Sequence, residues 1–332
     1  MKTIYERRIR YNGTGERLIK KALSLYAIGF YVEHKIIETG YEDLNIKVET
    51  NEGIFLFKFF AQRGPYAKTH EDAVEYVGKI AAALKAKIRC PRVFENLNAT
   101  LLTTLSFNGN SYDFIVEEFI RVDKKKELNE RDLADIAAFC ADLHSSSYRP
   151  KDYYDEWCVL NFKKEQPKLQ KYLELPDKRI IKKLAREFEL VDTDNLPKAF
   201  IHADLINTNI LKDQKGSVYL IDFSVAFFGP RVLDIAIIAS NLTFFPNNSE
   251  KSSDFLRIFL VEYQKMVQLT EAELLILPLL IKICFAMYVL VASKEIATKK
   301  EYNDEDYFWR ELGRKGLKID HYKKVFPVEM AH

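Results

Sequence analysis

The chain has 332 residues, a net charge of +2, and a composition that is 48% hydrophobic and 30% charged. At roughly 150 residues per domain it has room for two lobes, and this balance excludes a disordered chain. So small a net charge also argues against nucleic-acid binding driven by bulk charge.

Residues 1–35 read as helical: Leu18, Ala22, Leu25 and Ile28 recur at helical spacing, and Gly29 closes the pattern. Strands are predicted at 35–38, 45–49 and 54–60, with Thr50-Asn51-Glu52-Gly53 as a turn. His70 to Lys85 is an amphipathic helix with Thr69 as its N-cap. An extended stretch starts at Cys90-Pro91-Arg92-Val93, and 101–107 with 112–120 reads as a hairpin about Asn108-Gly109-Asn110. Asn129 to Ser145 is a helix with Leu133, Ile136, Cys140, Leu143 and His144 on one side. Residues 151–197 are charged and mostly helical, 198–226 form short strands and turns, and helix dominates from Asp234 onward.

The predicted architecture is α+β: a small antiparallel β-rich N-lobe over 1–120 and a larger, mainly helical C-lobe over 121–332. Leu274 to Ser293 is nearly all apolar and about long enough to span a bilayer. Lys282 at its centre and Pro278 favour a buried core helix, so no membrane partner is expected. Cys90, Cys140, Cys158 and Cys284 lie far apart without metal-ligand spacing and read as buried reduced thiols. Met1 to Arg10 lacks an apolar leader core, which points to a cytoplasmic protein.

The 12 glycines are about half the average share. No three form G-x-G-x-x-G and none begins a P-loop; Gly13-Thr14-Gly15 comes nearest, with Leu18 in the third position. Any phosphate binding must therefore use other chemistry. The densest polar cluster in an apolar setting is His202-Ala203-Asp204-Leu205-Ile206-Asn207-Thr208-Asn209, followed by Ile221-Asp222-Phe223. Two short apolar strands about Lys215-Gly216 put Asp204, Asn209 and Asp222 at one end of a hairpin. Three oxygen-bearing side chains there suit Mg²⁺. With Asn209 and Asp222 on the metal, Asp204 is free to accept a proton from a hydroxyl.

These residues, with Gly229-Pro230 and Asp234-Ile235-Ala236, resemble the aminoglycoside phosphotransferase, choline kinase and homoserine kinase superfamily. Upstream, Gly40-Tyr41-Glu42-Asp43 resembles that family's phosphate-covering turn, Phe57-Lys58 its lysine strand and Phe114–Ile120 its hinge strand. The resemblance implies a bilobal protein-kinase-like fold and transfer of the ATP γ-phosphoryl group to a small-molecule hydroxyl, with Mg²⁺; GTP is the alternative nucleotide. It makes Asp204 the base, or at least the group that orients the acceptor hydroxyl, Asn209 and Asp222 the metal ligands, and Lys58 a contact of the α/β phosphates. An acid on the 70–85 helix would pair with Lys58; Glu71 is preferred to Glu75. Adenine would meet backbone groups near Glu118 and Ile120, while His202 and Asp234 would brace the catalytic loop.

Ala203 stands where the family usually has glycine, and Ser224 where protein kinases have it. The acceptor would be an amino alcohol, a homoserine-like amino acid or an aminoglycoside, with Asp304 and Trp309 as candidate contacts through charge and cation–π attraction. Two alternatives remain: a nucleotide-binding protein without turnover that acts through a partner, and a protein kinase. The short span from Phe223 to Asp234 leaves little room for the activation segment that a protein kinase needs.

Overall fold

Residues 1–35 do not form the single helical region that their spacing predicts. The computed structural model describes residues 3–37, 43–64, 67–123, 127–151, 154–299, 303–319, 322 and 325. It begins with two short helices, α1 (Ile4–Ile9) and α2 (Gly15–Leu23), followed by strand β1 (Tyr31–Ile37). Arg10 adopts a left-handed conformation (φ 58°) and ends α1. Gly29, at φ 90°, takes a turn that L side chains rarely adopt, and extended chain follows.

Strands β2 (Leu44–Thr50) and β3 (Gly53–Phe59) form a tight hairpin in which Thr50 faces Gly53. Then come helix α3 (His70–Lys85), β4 (Val93–Phe94), β5 (Thr103–Phe107) and β6 (Asn110–Glu118). Asn108 and Gly109 both have positive φ, the geometry a two-residue hairpin turn requires between β5 and β6. The antiparallel sheet runs β1-β2-β3-β6-β4, with β5 also on β6. Successive side chains of a strand point to opposite faces. Leu44, Ile46 and Val48 therefore join Phe57, Phe59 and Phe114 in a core closed by Leu18, Ile19 and Ala22 of α2. Phe114 stacks on Phe59 at 4.7 Å. The other face of the hairpin carries Asn45 opposite Lys58 and Lys47 opposite Leu56.

This unit comprises Met1–Leu84 and Arg89–Asp123; the second comprises Lys85–Ile88 and Lys124–His332. In the second unit the order is α4 (Glu130–His144), α5 (Phe162–Leu169), α6 (Leu175–Glu189), β7 (Lys198–Ile201), β8 (Ile210–Lys212), β9 (Val218–Leu220), β10 (Phe227–Pro230), α7 (Val232–Ser240), α8 (Ser249–Gln264), α9 (Glu271–Thr298) and α10 (Asp304–Lys318). The strands pair as two small antiparallel ladders, β7 with β10 and β8 with β9.

The apolar segment lies within α9, which starts at a Thr270–Glu273 capping box and is buried along most of its length. Its charge at Lys282 has a structural use. Nζ donates to the carbonyls of Gly316 (2.8 Å) and Ile319 (2.7 Å), at the C-terminal end of α10. The two helices approach closely because α10 offers glycine. A Cβ on Gly316 would lie 2.2 Å from the Phe285 ring, and one on Gly313 would lie 2.6 Å from the Phe285 carbonyl. Gly316→Ala gains about 1 kcal/mol of helix propensity. It overpacks a fully buried ring by about 1–3 kcal/mol. Thermal denaturation should show a lowered Tm; an unchanged or raised Tm would refute this close packing.

Candidate active site

The loop after β7 and the β8–β9 hairpin bring together the three oxygen-bearing side chains that the sequence singles out. Ile210 faces Leu220 across the ladder, and the Ile221 N–H donates to the Asn209 carbonyl at 3.0 Å. Asn209 and Asp222 thus flank the same end of the hairpin. The Asn209 amide nitrogen donates to Asp204 twice, to Oδ2 at 2.6 Å and to the main-chain carbonyl at 3.0 Å. That uses both amide hydrogens and leaves Asn209 Oδ1 as an acceptor. Asp222 sits at φ 63°, and its Oδ1 accepts from the Ser224 N–H (3.2 Å) and the Ser224 hydroxyl. Asn209 Oδ1 and the Asp222 carboxylate are hard oxygen donors, the ligand type that Mg²⁺ prefers, so this donor set fits the metal.

Asp234, fully buried on α7, ties this loop down. Its Oδ1 accepts the Ala203 N–H at 2.7 Å; its Oδ2 accepts the His202 N–H at 2.9 Å and the His144 Nε2–H at 3.0 Å. Ala203 holds a left-handed φ of 65° under these bonds. That conformation costs an L residue about 1–2 kcal/mol, a cost that a glycine at this position would not carry. His202 Nε2 faces the Ile221 carbonyl at 3.1 Å, and Nδ1 accepts the Asp204 N–H at 3.3 Å. A carbonyl only accepts and a backbone N–H only donates, so the ring proton belongs on Nε2. Both nitrogens are occupied, a geometry suited to bracing.

The network continues through residues to which sequence reasoning gave no role. His144 Nδ1 meets the Tyr263 hydroxyl at 2.8 Å, which links α8 to the loop, and Cys140 Sγ lies 3.6 Å from His144 Nε2. A histidine on the apolar side of a helix was the available signal. Cys140, His144 and Asp234 are close enough to resemble a metal cluster. Their hydrogen bonds already engage both imidazole nitrogens and both carboxylate oxygens. Burial, reinforced by the Asp234 charge, also pushes the Cys140 thiol well above its ordinary range, away from the thiolate that a metal needs.

In the first unit, Lys58 is buried on β3. Its ammonium lies over the Tyr76 ring at 4.6 Å and 3.5 Å from Asp43 Oδ2. Glu71 and Glu75 are the acids expected to pair with Lys58. Glu71 is exposed in the first turn of α3, and its carboxyl is lowered by the helix backbone and Thr69 rather than by Lys58. Glu75 is half-buried one turn on. Sequence reasoning placed Asp43 in the phosphate-covering turn but did not connect it with Lys58. Gly40, Tyr41 and Glu42, the expected phosphate-covering residues, lie outside the described residues. Glu118 ends β6, and its N–H donates to the Arg92 carbonyl at 2.8 Å; Ile120 follows, nearly buried.

Asp304 and Trp309 are placed differently from one another. Asp304 is exposed at the start of α10, whose cap is the Asn303 side chain. Trp309 is largely buried, 5.0 Å from Tyr288 and 6.3 Å from Trp157 between ring centroids. Tyr288 is raised well above its ordinary value, mainly by burial, and the Asp204 charge contributes.

Comparison with known proteins gives the same picture. An amicoumacin kinase solved with AMP-PNP, Ca²⁺ and Ami superposes with a TM-score of 0.69 at 16% identity, over 93% of this chain and 95% of that one. A microcompartment-associated aminopropanol kinase gives 0.64 at 16% identity, over 91% and 95%. The choline kinase LicA of Streptococcus pneumoniae gives 0.59 at 14%, over 91% and 98%. These likenesses establish the bilobal kinase-like fold. The profile of the phosphotransferase enzyme family matches residues 33–267, well over half of the sequence. The chain is a member of that family, a family of small-molecule kinases.

Proposed function

We propose that the protein is an ATP- and Mg²⁺-dependent kinase that phosphorylates a hydroxyl of an amine-bearing small molecule. The observation that carries this reading is the double hydrogen bond from Asn209 to Asp204. It fixes the Asp204 carboxylate and leaves the Asn209 oxygen available beside Asp222. In this reading Asp204 receives the acceptor's hydroxyl proton as the new O–P bond forms and the bond from the γ-phosphorus to the bridging oxygen breaks, releasing ADP. Such transition states are loose, so positioning matters more than nucleophile activation. Lys58 contacts the α/β phosphates. Asn209 and Asp222 hold Mg²⁺, which supplies charge neutralisation on the phosphates. The Glu118 N–H is taken by Arg92, so adenine recognition falls to its carbonyl and to groups beyond β6, at Ile120.

The amine is supported by the Trp309–Tyr288 ring pair, since aromatic faces attract cations and the Asp204 charge contributes to the raised Tyr288 pKa. It is also supported by the aminopropanol and choline kinases among the structural neighbours. The test is ATP consumption with Mg²⁺ over a panel of amino alcohols, hydroxy amino acids and aminoglycosides. Turnover with at least one panel member, abolished by EDTA, is the expected result. ATP that raises Tm with no turnover on any acceptor would favour nucleotide binding without catalysis instead.

A further inference from the structure

Asp43 has more anchors than a turn residue needs. Its side chain is 2% exposed. Oδ1 accepts the Ala61 N–H at 2.9 Å, just beyond β3, and the Arg8 guanidinium from α1 donates to its main-chain carbonyl. Oδ2 receives two ammonium groups, Lys68 Nζ at 2.8 Å and Lys58 Nζ at 3.5 Å. The carboxylate is thus immobilised from three segments, whereas a lysine has a flexible four-carbon stem. A fixed anion beside it decides where the ammonium sits. The two contacts are unequal. Lys68 is the closer partner, at 2.8 Å, and holds the carboxylate in place; Lys58 meets the same oxygen at 3.5 Å. Glu71, preferred on the helix for this role, is exposed, and its carboxyl is lowered by its own backbone and Thr69.

We infer that Asp43, held by Lys68 and Ala61, is the residue that positions Lys58 for the nucleotide phosphates. This rests on the phosphate role proposed for Lys58 above. The test is a double-mutant cycle on ATP affinity with Mg²⁺ present, measured by calorimetry in the full chain. Asp43→Asn keeps the size of the side chain and an acceptor for Ala61, and removes the charge. It should weaken ATP binding about tenfold, and Lys58→Met at least as much. Because Asp43 acts through Lys58, the double variant should bind no worse than Lys58→Met alone. Losses that multiply in the double variant, or an unchanged affinity in Asp43→Asn, would overturn the positioning role. An unchanged affinity in Lys58→Met would instead overturn the phosphate role of Lys58 itself. Should Asp43→Asn melt below the assay temperature, Asp43→Glu, which keeps the charge but moves it by one methylene, reads the same cycle.

Discussion

Asp204→Asn should lower phosphoryl transfer about 10³-fold while ATP affinity stays within about twofold. The asparagine keeps the shape, and its carbonyl oxygen can still accept the Asn209 amide. Only the charge and the basicity are lost. A thousandfold loss corresponds to about 4 kcal/mol in the barrier. Single-turnover kinetics on the acceptor found by the panel, paired with ATP calorimetry, separate the two effects. A matching loss of ATP affinity would place Asp204 in nucleotide binding and sink its role as base. A change of less than about tenfold would mean that positioning alone carries the reaction, an outcome that a loose transition state makes worth excluding.

Asp234→Ala should be the most destabilising change in the loop. It leaves the His202 N–H, the Ala203 N–H and the His144 imidazole without an acceptor in a fully buried site. Each orphaned donor costs about 1–3 kcal/mol, so the sum is a large part of a typical folding free energy of about 5–15 kcal/mol. Ala203 would also lose the bond that holds it at positive φ. A Tm fall of roughly 10 °C or more is expected, with transfer activity lost even below the new Tm. A variant that melts within about 2 °C of the parent and keeps its activity would show that the loop is held by other contacts.

Much of this was legible before the fold was known, and the reasons are local. Alternation marked β2 and β3, the Asn108-Gly109 pair marked the β5–β6 hairpin, and helical spacing marked α3 and α4. The grouping of Asp204, Asn209 and Asp222 followed from a short hairpin whose length the sequence shows. What escaped was set by tertiary contact. Nothing local distinguishes Asp43 from a solvated turn acid until Ala61, Lys58 and Lys68 surround it. Tyr263 bonds a histidine 119 positions away, a pairing no periodicity encodes. Trp309 has the same composition around it whether it faces an acceptor or a core; only packing against Tyr288 and Trp157 decides. The N-terminal region departs from its helical reading because the chain breaks at Arg10, between α1 and α2, and α2 ends at Leu23, before Leu25 and Ile28.

The Lys282 contacts with α10 carry a consequence for the order in which the chain is made. The carbonyls that satisfy this lysine lie 34 and 37 residues further along. A growing chain therefore releases its longest greasy stretch before the segment that covers it is free to pack. Until α10 arrives, that stretch presents the hydropathy of a membrane span with a bare cation at its middle. Burial of this charge waits for α10 to pack. A chain that stops before Gly313 would remain a client for chaperones and proteases rather than a smaller enzyme.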